Sequence, residues 1–558
     1  MVVNKNRSMT RRHLLKLGGL MLGVGIADGC APVAQPTPTK GPESPKAATT
    51  AAPVATVAPA PVATPAPTQA PAAITKTAGP KRGGTLTVGR VDTFNTFNPL
   101  EARFQRIRRT MFNTLAHYDE GLNLQPELAE KFDFSADGKT VSFKLRQGVK
   151  YHSGREFTSA DVRFTWEYAT TNERVTQRPL YQTVKEVDTP DKYSVVFHLD
   201  ASNASIMDFI DTLQMLDKET VQDNSKTGVG TGPFKLDTFV PNDRIELVPF
   251  KDYWDKGKPY IDRLVVRQIP DLAALAINLE ADAIDLAYSI SYVDGARLRD
   301  STGGKFTLDM GAKGQSIFDI GINCKQAPFT DRRVRQAVAW SIDRDRFART
   351  ALQGMGTPTC LIWPPHSWAY FKDLQGKIGY DLDKAKALLA EAGVGGGFDT
   401  EMLTSSKRGS GYGELAQILQ ADLKKIGVNA KIADLEPAQY DTRANKGEIT
   451  LLVHSYGRAN RVPSTALNAS TSWKNEKEGG WTHYESAEYD KLRSDLQATI
   501  DRNKAMVIAR QVQELVLTDC FTLPVSEAPI ISVYRNYIRG LWYDMENSPF
   551  LGDAWLDK

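Results

Sequence analysis

The sequence predicts an α/β protein built in two lobes, and three observations carry that reading. Strand and helix patterns alternate in the middle of the chain, from "RLVVRQI" through "DLAALAINLEAD" to "AIDLAYS". The alternation resumes past Ile317 with "IFDIGIN", the helix "DRRVRQAVAWSIDR" and the helix "DLDKAKALLAEAG". A length of 558 residues exceeds what one ordinary core fills and divides into two or three domains.

Taken in order, the chain begins with a targeting segment. "TRRHLLK" (Thr10 to Lys16) precedes the apolar run "LGGLMLGVGI", which ends in "ADGC". The run is far shorter than the ~20 residues of a membrane-spanning helix, so it reads as an export signal over residues 1–30 and not as an anchor helix. Arg11 and Arg12 resemble a twin-arginine signal. "ADGC" resembles a lipobox, in which cleavage before Cys30 frees its thiol for diacylglyceryl attachment; Ala27 stands where Leu is usual, and Asp28 is an uncommon neighbour of the cleavage point. Plain secretion is the alternative. Residues 31–82 come next, almost wholly Ala, Pro, Thr and Val as far as about Pro80, a composition that buries no core and extends toward polyproline II, so they read as a stalk.

Folded sequence begins at "KRGGTLTVG", where Leu86 and Val88 alternate with Thr85 and Thr87 as in a half-buried strand. "FDFSADGKTVSFKL" predicts a hairpin, with Asp137-Gly138 at the turn and Phe132, Phe134, Val141, Phe143 and Leu145 alternating about it. "FTSADVRFTWEYA" opens a helix with a capping-box variant, Thr158 three residues before Asp161. Gly393 sits where the C-terminal cap of "DLDKAKALLAEAG" is expected. In "GELAQILQADLKKIGV", Leu415, Ile418, Leu419, Leu423 and Ile426 share one helical face; the strand "VNAKIAD", a short helix from about Pro437 and the strand "EITLLVH" come after it.

Charge and motifs exclude several functions. A net charge of +3 from 69 basic and 66 acidic residues provides no global field for nucleic acid or anionic membrane. There is no G-x-S-x-G elbow, no H-E-x-x-H and no Walker loop. "GVGTGPF" carries Gly228, Gly230 and Gly232 but runs into the strand-like "FKLDTFV", not into a helix N-terminus, so it reads as a crossover turn and not a phosphate cradle. Seven histidines lack metal-ligand spacing; His152, His454 and His483 read as surface or loop residues. No catalytic group, metal or cofactor is indicated. Beyond Cys30, the cysteines Cys324, Cys360 and Cys520 allow at most one disulfide, whose pairing the sequence leaves open. Trp363, Trp368, Trp473, Trp481 and Trp542 fall in loop-like surroundings, where aromatic faces serve ligand stacking or surface packing.

"SYGRANRVPS" (Ser455 to Ser464) comes directly after "EITLLVH" and sets Arg458 and Arg461 in a stretch without an acidic residue. Ligands of open α/β sheets lie beyond the carboxyl ends of strands, which is where this loop falls. Two guanidiniums there suit carboxylate, phosphate or clustered hydroxyls, and solvent is the alternative.

From Gly83 to about Asp553 the chain resembles the extracytoplasmic solute-binding proteins of ATP-binding-cassette importers, in the family (family 5, cluster C) that takes peptides, nickel chelates and oligosaccharides. The segments that carry the resemblance are "ELAEKFDFSADGKTVSFKLRQGVKYHSGREFTSADV", "GTGPFKLDTFVPNDRIEL", "YWDKGKPYIDRL", "APFTDRRVRQAVAWSIDR" and "YDLDKAKALLAEAG". It implies a two-lobed periplasmic-binding-protein type II-like fold with an extra domain inserted in the first lobe. Domain I then takes 83–128, 229–316 and 532–558, the inserted domain II takes 129–228, and domain III, the closing lobe, takes 317–531. The resemblance implies ligand contacts from Thr93, Phe94, Asn95 and Tyr288 on the first lobe and from Trp363, Trp368, Tyr456, Gly457, Arg458 and Arg461 on the second.

The implied function is that of a monomeric capture subunit, which closes on a peptide, oligosaccharide or anionic oligomer and delivers it to membrane permease and ATPase subunits, touching the membrane only through its lipid. An extracytoplasmic sensor is the alternative. The sequence departs from the family at one place. Peptide-binding members place an Asp after the strand equivalent to "EITLLVH", where it pairs with the peptide's ammonium; here that place falls at Arg458, which repels an ammonium. Either the ligand lacks a free amino end, or the alignment shifts by a few residues.

Overall fold

Leu86 and Val88, buried as their alternation requires, lie on strand Thr85–Arg90 at the middle of a seven-stranded sheet. The computed structural model describes residues 79–92, 96–101, 108–175, 177–301 and 303–558, all within the unit Lys76–Lys558. The signal, Cys30, nearly all of the stalk, and Thr93, Phe94 and Asn95 lie outside the described residues.

The seven-stranded sheet gathers strands from distant parts of the chain, in the order Phe306–Asp309, Ser532–Arg535, Leu286–Tyr288, Thr85–Arg90, Arg263–Gln268, Arg244–Pro249, Phe234–Val240. Thr85–Arg90 runs parallel to both neighbours. Helix Leu272–Glu280 starts at Asp271, whose side chain accepts from Ala274 N at 2.8 Å. A second, six-stranded sheet has the order Thr357–Pro358, Thr522–Glu527, Ser316–Ile322, Leu451–Gly457, Phe398–Thr404, Val428–Asp434. The chain passes between the two sheets twice, after Asp309 and after Glu527. Glu527 ties those passages together, its carboxylate accepting from Gly314 N at 2.8 Å.

Between Ala129 and Leu199 a separate four-stranded sheet forms over its own core. Its hairpin pairs Phe132 with Phe143 and Phe134 with Val141, with Gly138 at φ +66° in the turn. Phe134 differs from expectation: it stands 44 % exposed, because it lies on the strand at the sheet edge and meets the edge of the Phe132 ring. Helix Ser159–Thr171 opens as the capping box predicts, with Thr158 N donating to Asp161 Oδ2 at 2.9 Å. The same carboxylate receives Arg155, which also bonds Asp217 at 2.8 Å, so "GREFTSAD" clamps a helix start to a distant loop.

Helix Arg332–Ser341 ends sooner than "DRRVRQAVAWSIDR" suggests, because Asp343 caps a new turn through Arg346 N at 2.9 Å. Gly393, at φ +79°, lies just past helix Leu382–Glu391 as its cap. Leu415, Leu419 and Leu423 are fully buried along helix Tyr412–Lys425. His454 is a core residue and not the surface or loop residue expected: it is 3 % exposed, because its strand is an interior one and its Nε2 lies 2.9 Å from buried Asp319 Oδ1. Cys324, Cys360 and Cys520 are all free thiols.

The turn "GVGTGPF" is glycine-rich for a steric reason. Gly232 N donates to Met111 O at 2.8 Å, and a Cβ on Gly232 would fall 2.4 to 2.8 Å from the Met111 and Phe112 backbone. Two main chains touch here with no room for a methyl group. Gly232→Ala is therefore expected to cost about 1–3 kcal/mol, the usual range for overpacking. Urea unfolding measures this, and an unchanged midpoint would show that the two backbones do not approach as closely.

Candidate functional site

Strand Leu451–Gly457 runs three residues further than the sequence suggests, because Ser455, Tyr456 and Gly457 pair with Phe318, Ile317 and Ser316. Arg458 is thus the first residue past a strand end, and it holds a left-handed backbone, φ +65°. That conformation is uncommon for a residue with a side chain and turns the chain sharply toward Arg461.

The two arginines are not left to solvent. Arg458 Nε lies 3.0 Å from Glu546 Oε1, and the same oxygen accepts from Arg461 Nη2 at 2.8 Å. The Arg461 side chain is fully buried, with Nη1 donating to Asp208 O at 2.8 Å and Nη2 to Asp211 Oδ2 at 3.3 Å. Burial alone would depress this guanidinium, but Glu546, Asp211 and Asp208 outweigh it and hold the charge above the ordinary range. The absence of acidic residues in "SYGRANRVPS" is a local fact only, since the carboxylates arrive from residues 208–211 and 546.

Those carboxylates are themselves anchored. Asp211 and Asp544 meet at Arg109, whose Nε donates to Asp544 Oδ2 at 2.9 Å and whose Nη2 bonds the Asp211 carboxylate and carbonyl. Arg109 Nη1 reaches Glu127 Oε2 at 3.3 Å, and Glu127 also accepts from Thr114 N and Asn113 Nδ2, each at 2.8 Å. In "YDMENSPF" the Asp544 side chain closes a turn by accepting from Glu546 N at 3.0 Å and Ser548 N at 2.7 Å, which aims Glu546 at the arginines. Asp208 accepts from Tyr118 OH at 2.8 Å, from Val462 N at 3.1 Å and from Thr465 Oγ1. Burial pushes the Asp208 and Asp544 carboxyls up despite the facing guanidiniums.

A polar seam continues outward. Ser205 and Ser464 hydroxyls meet at 2.5 Å, Ala204 N donates to Gln497 O at 2.9 Å, and Ser202 Oγ donates to Ala498 O at 2.8 Å. Residues 202–211, beside the four-stranded sheet, are thereby seated on residues 461–465 and 497–498, beside the six-stranded sheet.

The remaining expected contacts divide. Tyr288 and Tyr456 are buried with their hydroxyls committed to the Asn547 carbonyl at 2.7 Å and the Ile362 carbonyl at 2.6 Å. Trp363 is fully buried, its indole N–H bonded to Pro463 O at 3.2 Å. These three support the Arg458–Pro463 loop and the Asp544–Ser548 turn from behind. Gly457 is tight, since a Cβ there would meet Gln315 Nε2 at 3.1 Å. Trp368 lies apart, half-buried with Arg502 at 5.5 Å from its ring centroid. Among the described residues no group of three or more His, Cys, Asp and Glu is placed to hold a metal ion. Arg109, Asp208, Asp211, Asp544 and Glu546 do not stand out in the sequence; the arginine before "TMF" and the acids of "YDMEN" are visible there, but nothing local links them.

Among known proteins, the profile of one family, "Bacterial extracellular solute-binding proteins, family 5 Middle", matches residues 123–478. Heme-binding protein A of Haemophilus influenzae is 28 % identical over 483 residues, 80 % of this chain and 86 % of that protein. The dipeptide-binding protein of Escherichia coli is 27 % identical over 475 residues, 78 % of this chain and 86 % of that protein. The structure of the oligopeptide-binding protein AppA of Bacillus subtilis in complex with a nonapeptide superposes with a TM-score of 0.72 at 25 % identity, covering 86 % of this chain and all, 100 %, of that one.

Proposed function

The chain belongs to the family 5 bacterial extracellular solute-binding proteins, and from that premise we propose that it captures a peptide-class solute between two lobes and delivers it to the permease and ATPase subunits of an ABC importer. One observation carries the reading furthest: the strand-end loop at Arg458–Val462 meets residues 208–211 and the 544–548 turn, so three distant stretches of chain converge where a closing cleft would sit. The relatives named for dipeptide, oligopeptide and heme binding support a solute that is an oligomer or a large small molecule. The Arg at position 458 favours a solute with an anionic or hydroxyl-rich end, and an oligosaccharide or anionic oligomer is the second reading. No chemistry is assigned to the site; it binds and does not turn over its ligand.

Domain boundaries at 83–128 with 229–316 and 532–558, at 129–228, and at 317–531 are part of this proposal, supported by the separate sheets that those ranges supply. Thr93, Phe94, Asn95, Tyr288, Trp363, Trp368, Tyr456, Gly457, Arg458 and Arg461 remain its proposed site residues. So does a lipid tether at Cys30, exported by way of Arg11-Arg12, holding a monomer outside the membrane on its stalk. No helix of the described residues is long and apolar enough to cross a membrane.

Ligand that binds the folded protein alone raises its melting temperature by mass action. A panel of di- to nonapeptides, acidic peptides, oligosaccharides, heme and nickel chelates is expected to contain at least one class that shifts the melting curve in a concentration-dependent way. A flat response across the whole panel would overturn import of these solutes and favour a sensor.

A further inference from the structure

We propose that Asp208 is a clasp residue, through which the unit built on the four-stranded sheet holds the closing lobe and favours the closed form by contacts that do not involve the solute, a role that rests on the proposed two-lobed capture. The carboxylate divides its oxygens between the two sides. Oδ1 accepts from Tyr118 OH at 2.8 Å, on the hairpin formed by Ala116–Tyr118 and Leu124–Pro126. Oδ2 accepts from Val462 N at 3.1 Å and from Thr465 Oγ1, at the start of helix Pro463–Ala469. Asp208 and Thr465 are fully buried where they meet.

The two sides belong to different cores. Asp208 stands on helix Ile206–Ile210, whose Ile206, Met207, Phe209 and Ile210 join the core of Val141, Phe143 and Phe197 at the four-stranded sheet. Arg109, bonded to the Asp211 carboxylate and carbonyl, and His152, bonded to Gly230 and Gly232, fix this unit to chain that leads into the seven-stranded sheet. Leu467 and Leu496, which lie beside the residues that Asp208 and its neighbours meet, belong instead to the core of Tyr456, Trp473 and Phe521.

The seam between these cores is polar along its length. Beyond Asp208 it runs through the Ser205–Ser464 hydroxyl pair, the bond from Ala204 N to Gln497 O and the bond from Ser202 Oγ to Ala498 O. At its outer end the hairpin turn meets half-exposed Ile500, whose Cδ1 would collide with a Cβ on Gly138. Hydroxyls, amides and a carboxylate exchange these partners for water at small net cost, so a seam made of them forms and parts reversibly, whereas a large apolar seam would fuse the two cores. The contacts add to the closed form whatever the cleft holds, and a solute adds its own preference for that form. By raising the closed fraction, the clasp raises the apparent affinity for every solute that the closed form takes.

Backbone hydrogen exchange on the whole protein, with no solute added, tests this, because Val462 N and Ala204 N both donate across the seam. In the unaltered protein both amides are expected to be protected, yet to exchange faster than the interior strands Ser194–Leu199 and Leu451–Gly457. Asp208→Ala takes the acceptor from Val462 N and is expected to speed exchange at Ala204 N, which bonds Gln497 and not residue 208, by about tenfold or more, the effect of hydrogen bonds to a charged acceptor. The interior strands should keep their rates, which separates a parted seam from a weakened fold. Ser464→Ala removes a hydroxyl from the other side of the seam and should act in the same direction to a smaller extent; if Asp208→Ala does not fold, the rate at Ala204 in this variant decides. Unprotected seam amides in the unaltered protein, or a rate at Ala204 that the deciding variant leaves unchanged, overturn the clasp and leave solute capture standing. Seam amides as slow as the interior strands in every variant would show one rigid body, and would overturn the clasp and two-lobed closure together.

Discussion

Arg461→Ala is expected to lower the free energy of unfolding by about 3–5 kcal/mol, the cost of breaking a buried ion pair by removing one partner. The size reflects the groups that the cation leaves behind. Asp211 Oδ2 and the Asp208 carbonyl lose their Arg461 donors inside the protein, and Glu546 loses its 2.8 Å contact with Arg461. Asp208 is already pushed toward its neutral form by burial, and loss of the opposing charge pushes it further. Urea unfolding at pH 7 gives the number. Arg461→Lys should recover only part of it, since an ammonium cannot reach Asp208 O, Asp211 and Glu546 in the planar geometry the guanidinium uses. A loss below about 1 kcal/mol, the range of an exposed pair, would return Arg461 to solvent and open the seam between residues 202–211 and 461–465.

The same residue shows where sequence reading stops. The strand end before Arg458 is legible because "EITLLVH" is an apolar run with a helix pattern before it, and a position past a strand end is a local property. Ion pairing is not. Arg461 lies 250 residues from Asp211 and 85 from Glu546, and no window of sequence holds all three. The absence of nearby acids suggests an open anion site, whereas the fold brings in the acids from residues 208–211 and 546. Elements specified by spacing fare better. Thr158 with Asp161, Gly138 and Gly393 each dictate their own backbone within a few residues, and the structure shows the expected cap, turn and stop. Phe134 and His454 go the other way for one reason: exposure depends on whether a strand is at the edge or the interior of its sheet, and strand order is settled by chain segments far away. The Gly228–Gly232 turn lies between these cases. Its connection to a strand is legible, but its tight contact with Met111 and Phe112 is not.

That turn also carries the larger pH effect expected of this protein. His152 is bound to it by both ring nitrogens: Gly230 N donates to Nδ1 at 3.2 Å, and Nε2 bonds Gly232 O at 3.0 Å. Since Nδ1 accepts, the proton must sit on Nε2, and the fold selects a neutral ring of one tautomer. Protonation would set two donors, Nδ1–H and Gly230 N–H, against each other. Burial against Phe250 and the turn accordingly lowers this imidazole to about 4, with the Gly232 carbonyl opposing the shift only in part. In the unfolded chain the ring titrates near 6.5. Between those values the unfolded state binds more protons than the folded state, so stability falls as pH falls from about 6.5 toward 4 and is fully present above that window. The shift corresponds to at most about 3 kcal/mol, reduced in proportion to the part of the ring that stays exposed. Carboxylates also begin to titrate there, so the measurement is a difference: unfolding free energies of the unaltered protein and of His152→Gln, taken from pH 7.5 to pH 4.5. The unaltered protein should lose about 1.5–2.5 kcal/mol more than the variant over that range. A gap that does not change with pH would mean that His152 takes up its proton as readily in the fold as in the unfolded chain, which is incompatible with Nδ1 accepting from Gly230 N.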